Sequence, residues 1–194
     1  MLRNNLLENK YNFERKMPNK WLISALWIFL CLIFLSLSFG VFMLAVKLDS
    51  PERVHLVDYG LLPYIIIFSV VAFIYFGLKI RMTSLFCHNK KHNMTVRVND
   101  EDGFPVLACK EALKTWQIIL IHSIPAVLAY FILSIIIMLV AFDVFCVILL
   151  FIGAFVVAYD LSLVICVLCM KARYKPEYIA LNHHLYDMTL YTKQ

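Results

Sequence analysis

The chain reads as an all-α integral membrane protein with four transmembrane helices, both termini on the cytoplasmic side, and a short cytoplasmic loop that carries β-hairpin signals. Three observations lead there. From Ile118 to Met170, 53 residues pass without one Lys, Arg or Glu, and the only carboxylates in that run are Asp143 and Asp160. A helix rises about 1.5 Å per residue, so about 20 residues cross a hydrocarbon layer of about 30 Å. The run therefore holds two crossings with a tight turn at Asp143. Two more apolar stretches precede it: Trp21 to Val46 without a charge, and Leu61 to Leu78 closed by Lys79. Finally, charged residues make up only 16% of the 194 residues, against about 25% in average soluble proteins. The remaining pieces are too short for a sizeable core of their own. Helices are expected at about 21–46, 60–80, 117–141 and 145–170 of a single membrane domain covering 1–194. A cytoplasmic loop at 82–114 and a cytoplasmic tail at 171–194 complete it.

Residues 1–20 mix Arg3, Lys10, Arg15, Lys16 and Lys20 with Leu2, Leu6, Leu7, Tyr11 and Phe13. That pattern suits either an amphipathic segment at the membrane surface or a disordered tail. The first span is far longer than the apolar region of a cleavable signal peptide and no A-x-A site follows it, so it is expected to stay as an anchor. Trp21, Trp27 and Trp116 fall near inner helix ends, a depth that indole rings favour. In the second loop, Thr95–Val98 alternates like a strand, Asn99–Gly103 is a turn signal and Phe104–Leu107 returns. Ala108 to Thr115 then looks helical. Pro125 lacks a backbone donor and is expected to kink the third span near His122. Gly153, Ala154 and Ala158 permit close approach of a helix to the fourth span. Pro176 ends that span or starts a new turn, and 177–191 suits an interfacial helix or an extended strand.

Charge placement sets the orientation. The net charge is +5, and 16 of the 18 Lys and Arg fall on the side that carries both tails and the second loop. By the positive-inside rule that side is cytoplasmic, with the plasma membrane (the bacterial inner membrane) as the expected location. Basic residues flanking spans are ordinary, so no nucleic-acid partner is implied.

Few groups can carry chemistry. A carboxylate deep in a span costs about 2.5–3.5 kcal/mol on insertion scales, so Asp160 should face protein or water, or be protonated. His122 lies at a comparable depth on the antiparallel neighbour, and a His–Asp pair there would relay protons or hold a cation. The bland alternative is that Asp160 simply hydrogen-bonds a neighbouring helix. Asp143 fits the outer turn. Cys87-His88 with His92 offers three metal ligands but no second pair at finger spacing, and the adjacent His183-His184 do not easily aim at one metal. Cys166-x-x-Cys169 has redox spacing on a membrane helix, where packing is the simpler role, and Cys169 near the inner interface suits S-acylation. No disulfide is expected among Cys31, Cys87, Cys109, Cys146, Cys166 and Cys169. The Asn93-Met94-Thr95 sequon faces the cytoplasm and is expected unmodified. No catalytic motif, cofactor or metal site is called for.

The stretch T-V-R-V-N-D-E-D-G-F-P from Thr95, with Ala112-Leu113-Lys114 opening the next span, resembles part of the RDD family of small polytopic membrane proteins. Their inner loop carries a similar R-V-V-D-x-x-G-x-P run before a basic residue and a helix. Leu185–Thr189 is similar to that family's closing Asp-and-Thr stretch. The Arg and Asp early in the family pattern have no clear counterpart on the first helix, and Lys114 stands where arginine is usual. The resemblance implies a polytopic topology, with ion or solute transport proposed for some members. Three functions stand beside it. The first is a non-enzymatic membrane subunit or accessory protein that binds a protein partner, or its own copies, through its helices and cytoplasmic segments. The alternative is a small transporter or proton/cation conductor using Asp160 and His122. A membrane enzyme fits least, since no site motif is present.

Overall fold

The computed structural model describes residues 8–16, 18, 20–47, 60–87, 94–98, 105–109, 111–140, 144–181 and 188–193. Asp143, His88, His92, Asn93, His183, His184, the Asn99–Gly103 turn and Leu185–Asp187 lie outside them. Four helices dominate: α1 (Lys20–Lys47), α2 (Leu62–Phe86), α3 (Thr115–Val140) and α4 (Val144–Tyr174). Each contains a stretch long and apolar enough to cross a membrane. The four expected helices are all present, and two are longer than expected. Lys79 and Arg81 do not end α2, which runs on to Phe86, and α4 continues past Met170 to Tyr174. Helical hydrogen bonding is indifferent to where hydrocarbon gives way to water.

Local chemistry explains the helix ends. The Lys114 N–H donates to Gln117 Oε1 at 2.9 Å, the reach-back half of a capping box at the start of α3. At the end of α4, Lys175 adopts φ 49° and its N–H bonds Lys171 O at 2.9 Å. That is a left-handed cap made by lysine rather than glycine, with Pro176 preventing continuation. Helix α3 passes through Pro125 without a break in its assignment.

The β-hairpin forms as β2 (Met94–Val98) against β3 (Pro105–Cys109), in the register Met94↔Cys109. The structure adds a small sheet that an all-α class leaves out. Strands β1 (Tyr11–Lys16), β4 (Leu113–Lys114), β5 (Tyr178–Leu181) and β6 (Met188–Lys193) form an antiparallel sheet in the order β1-β6-β5-β4. Residues 11–16 are thus a strand rather than an amphipathic or disordered tail, and the C-terminal tail takes the extended alternative. The expected helix over Ala108–Thr115 is replaced by the end of β3 and by β4. Strands this rich in Ile, Leu, Met, Thr and Tyr fit a pleated, half-buried surface.

The chain packs as two compact units. One spans 1–23, 78–122 and 162–194 and contains the sheet. Leu113, Ile179, Met188 and Leu190 are buried on one sheet face, and Tyr191 is buried on the other, where Phe13 lies over it with ring centroids 6.4 Å apart. Tyr11 meets Tyr178 edge to face at 5.8 Å. Lys16 pairs with Glu14 and sits 5.2 Å from the Tyr174 ring centre. The Glu14 hydrogen bond holds the Lys16 ammonium above the usual lysine range.

The other unit spans 24–77 and 123–161. Its core joins Tyr64 and Val71 of α2, Ala129, Leu133 and Ile137 of α3, and Cys146, Leu149 and Leu150 of α4. Ser38 and Tyr130 share a hydrogen bond of 2.7 Å between α1 and α3, while the Phe34 and Tyr130 rings meet edge to face at 5.3 Å. The small residues of α4 lie at close contacts, as expected: Ala154 and Ala158 are fully buried, and Gly153 faces Leu133 and Tyr130. Trp27 departs from the anchor role. Its ring packs 6.0 Å from Phe155, and its Nε1 is buried with no hydrogen-bond partner among the described residues.

Candidate functional site

Two buried polar places stand out, one in each unit. The first is Asp160, only 1% exposed near the middle of α4. Tyr75 of α2 donates its hydroxyl to Asp160 Oδ2 at 2.6 Å, which is short enough for a charge-assisted bond. The Tyr75 ring is itself set by an edge contact to Phe76 at 5.0 Å. A phenol can hold a carboxylate or a carboxylic acid in place at this position, and either form keeps one more oxygen for other donors.

The second place is a small cavity, about 20 Å³ and partly open to solvent, in the unit that holds the sheet. Ile118, Ile121 and His122 of α3 form one wall, and Leu113, Ile179 and Leu181 of the sheet form another. Thr83, Cys109 and Glu111 complete it. His122, Glu111 and Thr83 are 2%, 3% and 1% exposed. A carboxylate and an imidazole that share a buried cavity can exchange a proton or hold a small cation. The Thr83 hydroxyl is directed to Lys79 O at 2.7 Å within the last turns of α2.

Of the two residues singled out in the sequence, His122 lines the cavity that Glu111 also lines, and Asp160 accepts the Tyr75 hydroxyl. Glu111 and Tyr75 escaped the sequence reading. Glu111 lies between Lys110 and Lys114 in a segment that resembles a solvated helix start, and a tyrosine in an apolar span is ordinary. The one available signal was that Glu111 is the only glutamate between Glu101 and Glu177.

One expectation is overturned. Cys87 and Cys109 are bonded as a disulfide, with Cα atoms 6.8 Å apart. The hairpin returns its last residue to the end of α2, a proximity that compartment reasoning ignores. Cys87 is thereby removed from any metal set with His88 and His92. Among the described residues, no three His, Cys, Asp or Glu side chains converge as a metal site. Cys166 is a buried free thiol and Cys169 an exposed one. In comparisons with protein-family models, curated proteins and solved structures, the chain matches none.

Proposed function

We propose that the chain is a four-span protein of the plasma membrane (a bacterial inner membrane) that works as a non-enzymatic subunit. It binds a protein partner, or further copies of itself, through α1 and α2. One observation carries this reading: α1 and α2 are far less covered than the other pair. Only 22% and 11% of their most apolar stretches are buried, against 44% and 50% for α3 and α4. The open faces also carry small residues. Ser36 and Gly40, one turn apart, are both exposed on α1, and nothing lies within 4 Å of a side chain built at Gly40 or at Gly77 of α2. In lipid, small residues on an open face let a second helix backbone come close. The cytoplasmic placement of both termini is supported by 16 of 18 basic residues on one side. The likeness of the inner loop to RDD proteins is compatible with this topology.

The test uses two differently tagged copies of the full chain in one membrane, together with mass determination of gently extracted complexes. Copies, or the chain with one defined partner, should travel together, and Gly40→Leu should cut the recovered complex several-fold with the chain still folded. A wild-type chain that is monomeric and alone would sink the reading.

A second reading, a small transporter or proton/cation conductor, rests on the buried ionisable groups Asp160 and His122, the latter lining a partly open cavity with Glu111. Asp160→Asn keeps an oxygen for the Tyr75 hydroxyl but removes the charge. Under this reading it abolishes proton or cation flux in proteoliposomes without loss of fold. Equal flux in the two chains would remove Asp160 from any conduction path.

A further inference from the structure

Cys87 follows the last turn of α2, and Cys109 is the last residue of β3. The chain leaves α2, runs out through β2 and returns through β3 to its starting point, since Met94 and Cys109 are partners in the hairpin register. Their closure joins two positions 22 residues apart. Both sulfurs are buried, yet Cys109 forms part of the wall of the partly open cavity that holds Glu111 and His122. The basic residues put this loop on the cytoplasmic side, where thiol reductants keep cysteines reduced. A permanent bond is out of place there. Disulfides that do form in such a compartment are mostly transient and redox-responsive.

We propose that Cys87 and Cys109 are a thiol–disulfide exchange site, cycled by small thiols and small disulfides of the cytoplasm. The inference rests on the proposed orientation, with the loop and both termini inside. In the reducing direction a small thiolate attacks Cys109 Sγ. The Sγ–Sγ bond breaks, and Cys87 leaves as a thiolate that takes up a proton. A second small thiolate then attacks the small-molecule sulfur of the mixed disulfide, and Cys109 leaves as a thiolate that takes up a second proton. The products are two protein thiols and one oxidised small disulfide, a balanced two-electron transfer. Oxidation runs through the same steps in reverse, with a small disulfide as acceptor.

The structure also defines what the exchange moves. With the bond closed, the end of β3 is tied to the end of α2. With the bond open, the end of α2 keeps its other contacts: Cys87 N to Thr83 O at 3.0 Å, and Phe86 against Trp116 at 5.2 Å. The tie between β3 and α2, at the part of the cavity wall supplied by Cys109, is what the exchange releases, while β3 keeps its approach to β5. Reduction therefore loosens the Cys109 side of the cavity that Glu111 and His122 line and leaves the helix ends in place.

The test is a thiol count on the full chain in the inner membrane of intact bacterial cells. Acid-trapped chains are labelled with a polyethylene-glycol maleimide and compared with Cys87→Ser/Cys109→Ser, so that the other four cysteines cancel. In growing cells, the wild-type chain should carry two more adducts than the double variant. Diamide should remove both, and dithiothreitol should restore them. A reporter fused to the C-terminus places that end independently. A pair that stays oxidised with the terminus inside, or thiols that diamide cannot join, overturns the exchange site. A pair that stays oxidised with the terminus outside overturns the orientation and the exchange site with it. Differential alkylation and peptide mass spectrometry of the wild-type chain give the same count if the double variant does not accumulate.

Discussion

Tyr75→Phe is expected to lower the stability of the folded chain by about 2 kcal/mol, the loss of one hydrogen bond to a charged acceptor. The hydroxyl meets Asp160 Oδ2 at 2.6 Å, and Asp160 is 1% exposed. Hydrogen bonds between membrane helices average only about 0.6 kcal/mol in double-mutant cycles, with a maximum of about 1.7. Bonds to ionised groups are roughly twice as strong, so about 2 kcal/mol is the loss expected for an ionised Asp160 and about 1 kcal/mol for a protonated one. Asp160→Leu removes the cost of burying a carboxyl but takes the acceptor at 2.6 Å from the Tyr75 hydroxyl, so it too should destabilise. The double change Tyr75→Phe/Asp160→Leu should recover to the wild-type level or above, because well-packed apolar replacements of a buried polar pair are often neutral or stabilising. Unfolding midpoints of the four chains in one detergent measure this. A double variant as weak as the two single losses added together would show that the residues do not act on each other.

The sequence made the four helices visible because each apolar run reaches the length of a membrane crossing with almost no charge inside it. It also isolated Asp160 and His122, since ionisable groups within such runs are few enough to count. It did not reveal their neighbours. Tyr75 is one of ten tyrosines and looks like any span residue. Glu111 looks like a surface charge until Leu113 and Ile179 pair and fold the segment over α3. The sheet was hidden for a related reason. Strands β1 and β6 are six residues each, and their pairing joins Tyr11 to Lys193, almost the full length of the chain. No local window contains such a pairing, although the Tyr-, Leu- and His-rich stretch 177–191 left an extended tail open beside an interfacial helix. The Cys87–Cys109 bond depends on the same non-local geometry. The hairpin was legible from its turn residues, but its register, which brings Cys109 home to α2, was not.

These same contacts bear on which function the buried groups serve. A carboxylate with a phenol at 2.6 Å is already partnered inside the chain, which favours a structural task for Asp160 and leaves association as the simpler role of the outer helices. Glu111 and His122 differ, because their cavity opens to solvent beside a bond that redox chemistry can break. If the chain handles protons or cations, those two residues are the better-placed pair for exchange with the aqueous side, and Asp160 the better-placed one within the span.

Gly153→Leu should be the most damaging change in the unit that holds Asp160, with an expected loss of about 2–3 kcal/mol from overpacking. An ideal Cβ at Gly153 stands 2.9 Å from Leu133 Cδ2 and 3.4 Å from Tyr130 Cδ2. Alanine asks little, because the obstacle is the end of a flexible side chain, and helix propensity returns up to about 1 kcal/mol on replacing glycine. The two effects nearly offset, so Gly153→Ala should fall within about 1 kcal/mol of wild type. Leucine adds three more carbons against the same wall and must push α3 and α4 apart or displace Tyr130. Displacing Tyr130 breaks its hydrogen bond to Ser38 at 2.7 Å and so loosens α1 as well. Leu133→Ala in the Gly153→Leu background vacates the obstructed volume and should restore most of the loss. Thermal unfolding of these chains in one detergent gives the order wild type and Gly153→Ala together, then the double variant, then Gly153→Leu. A Gly153→Leu chain as stable as wild type would mean that α3 and α4 are not in close contact at this level.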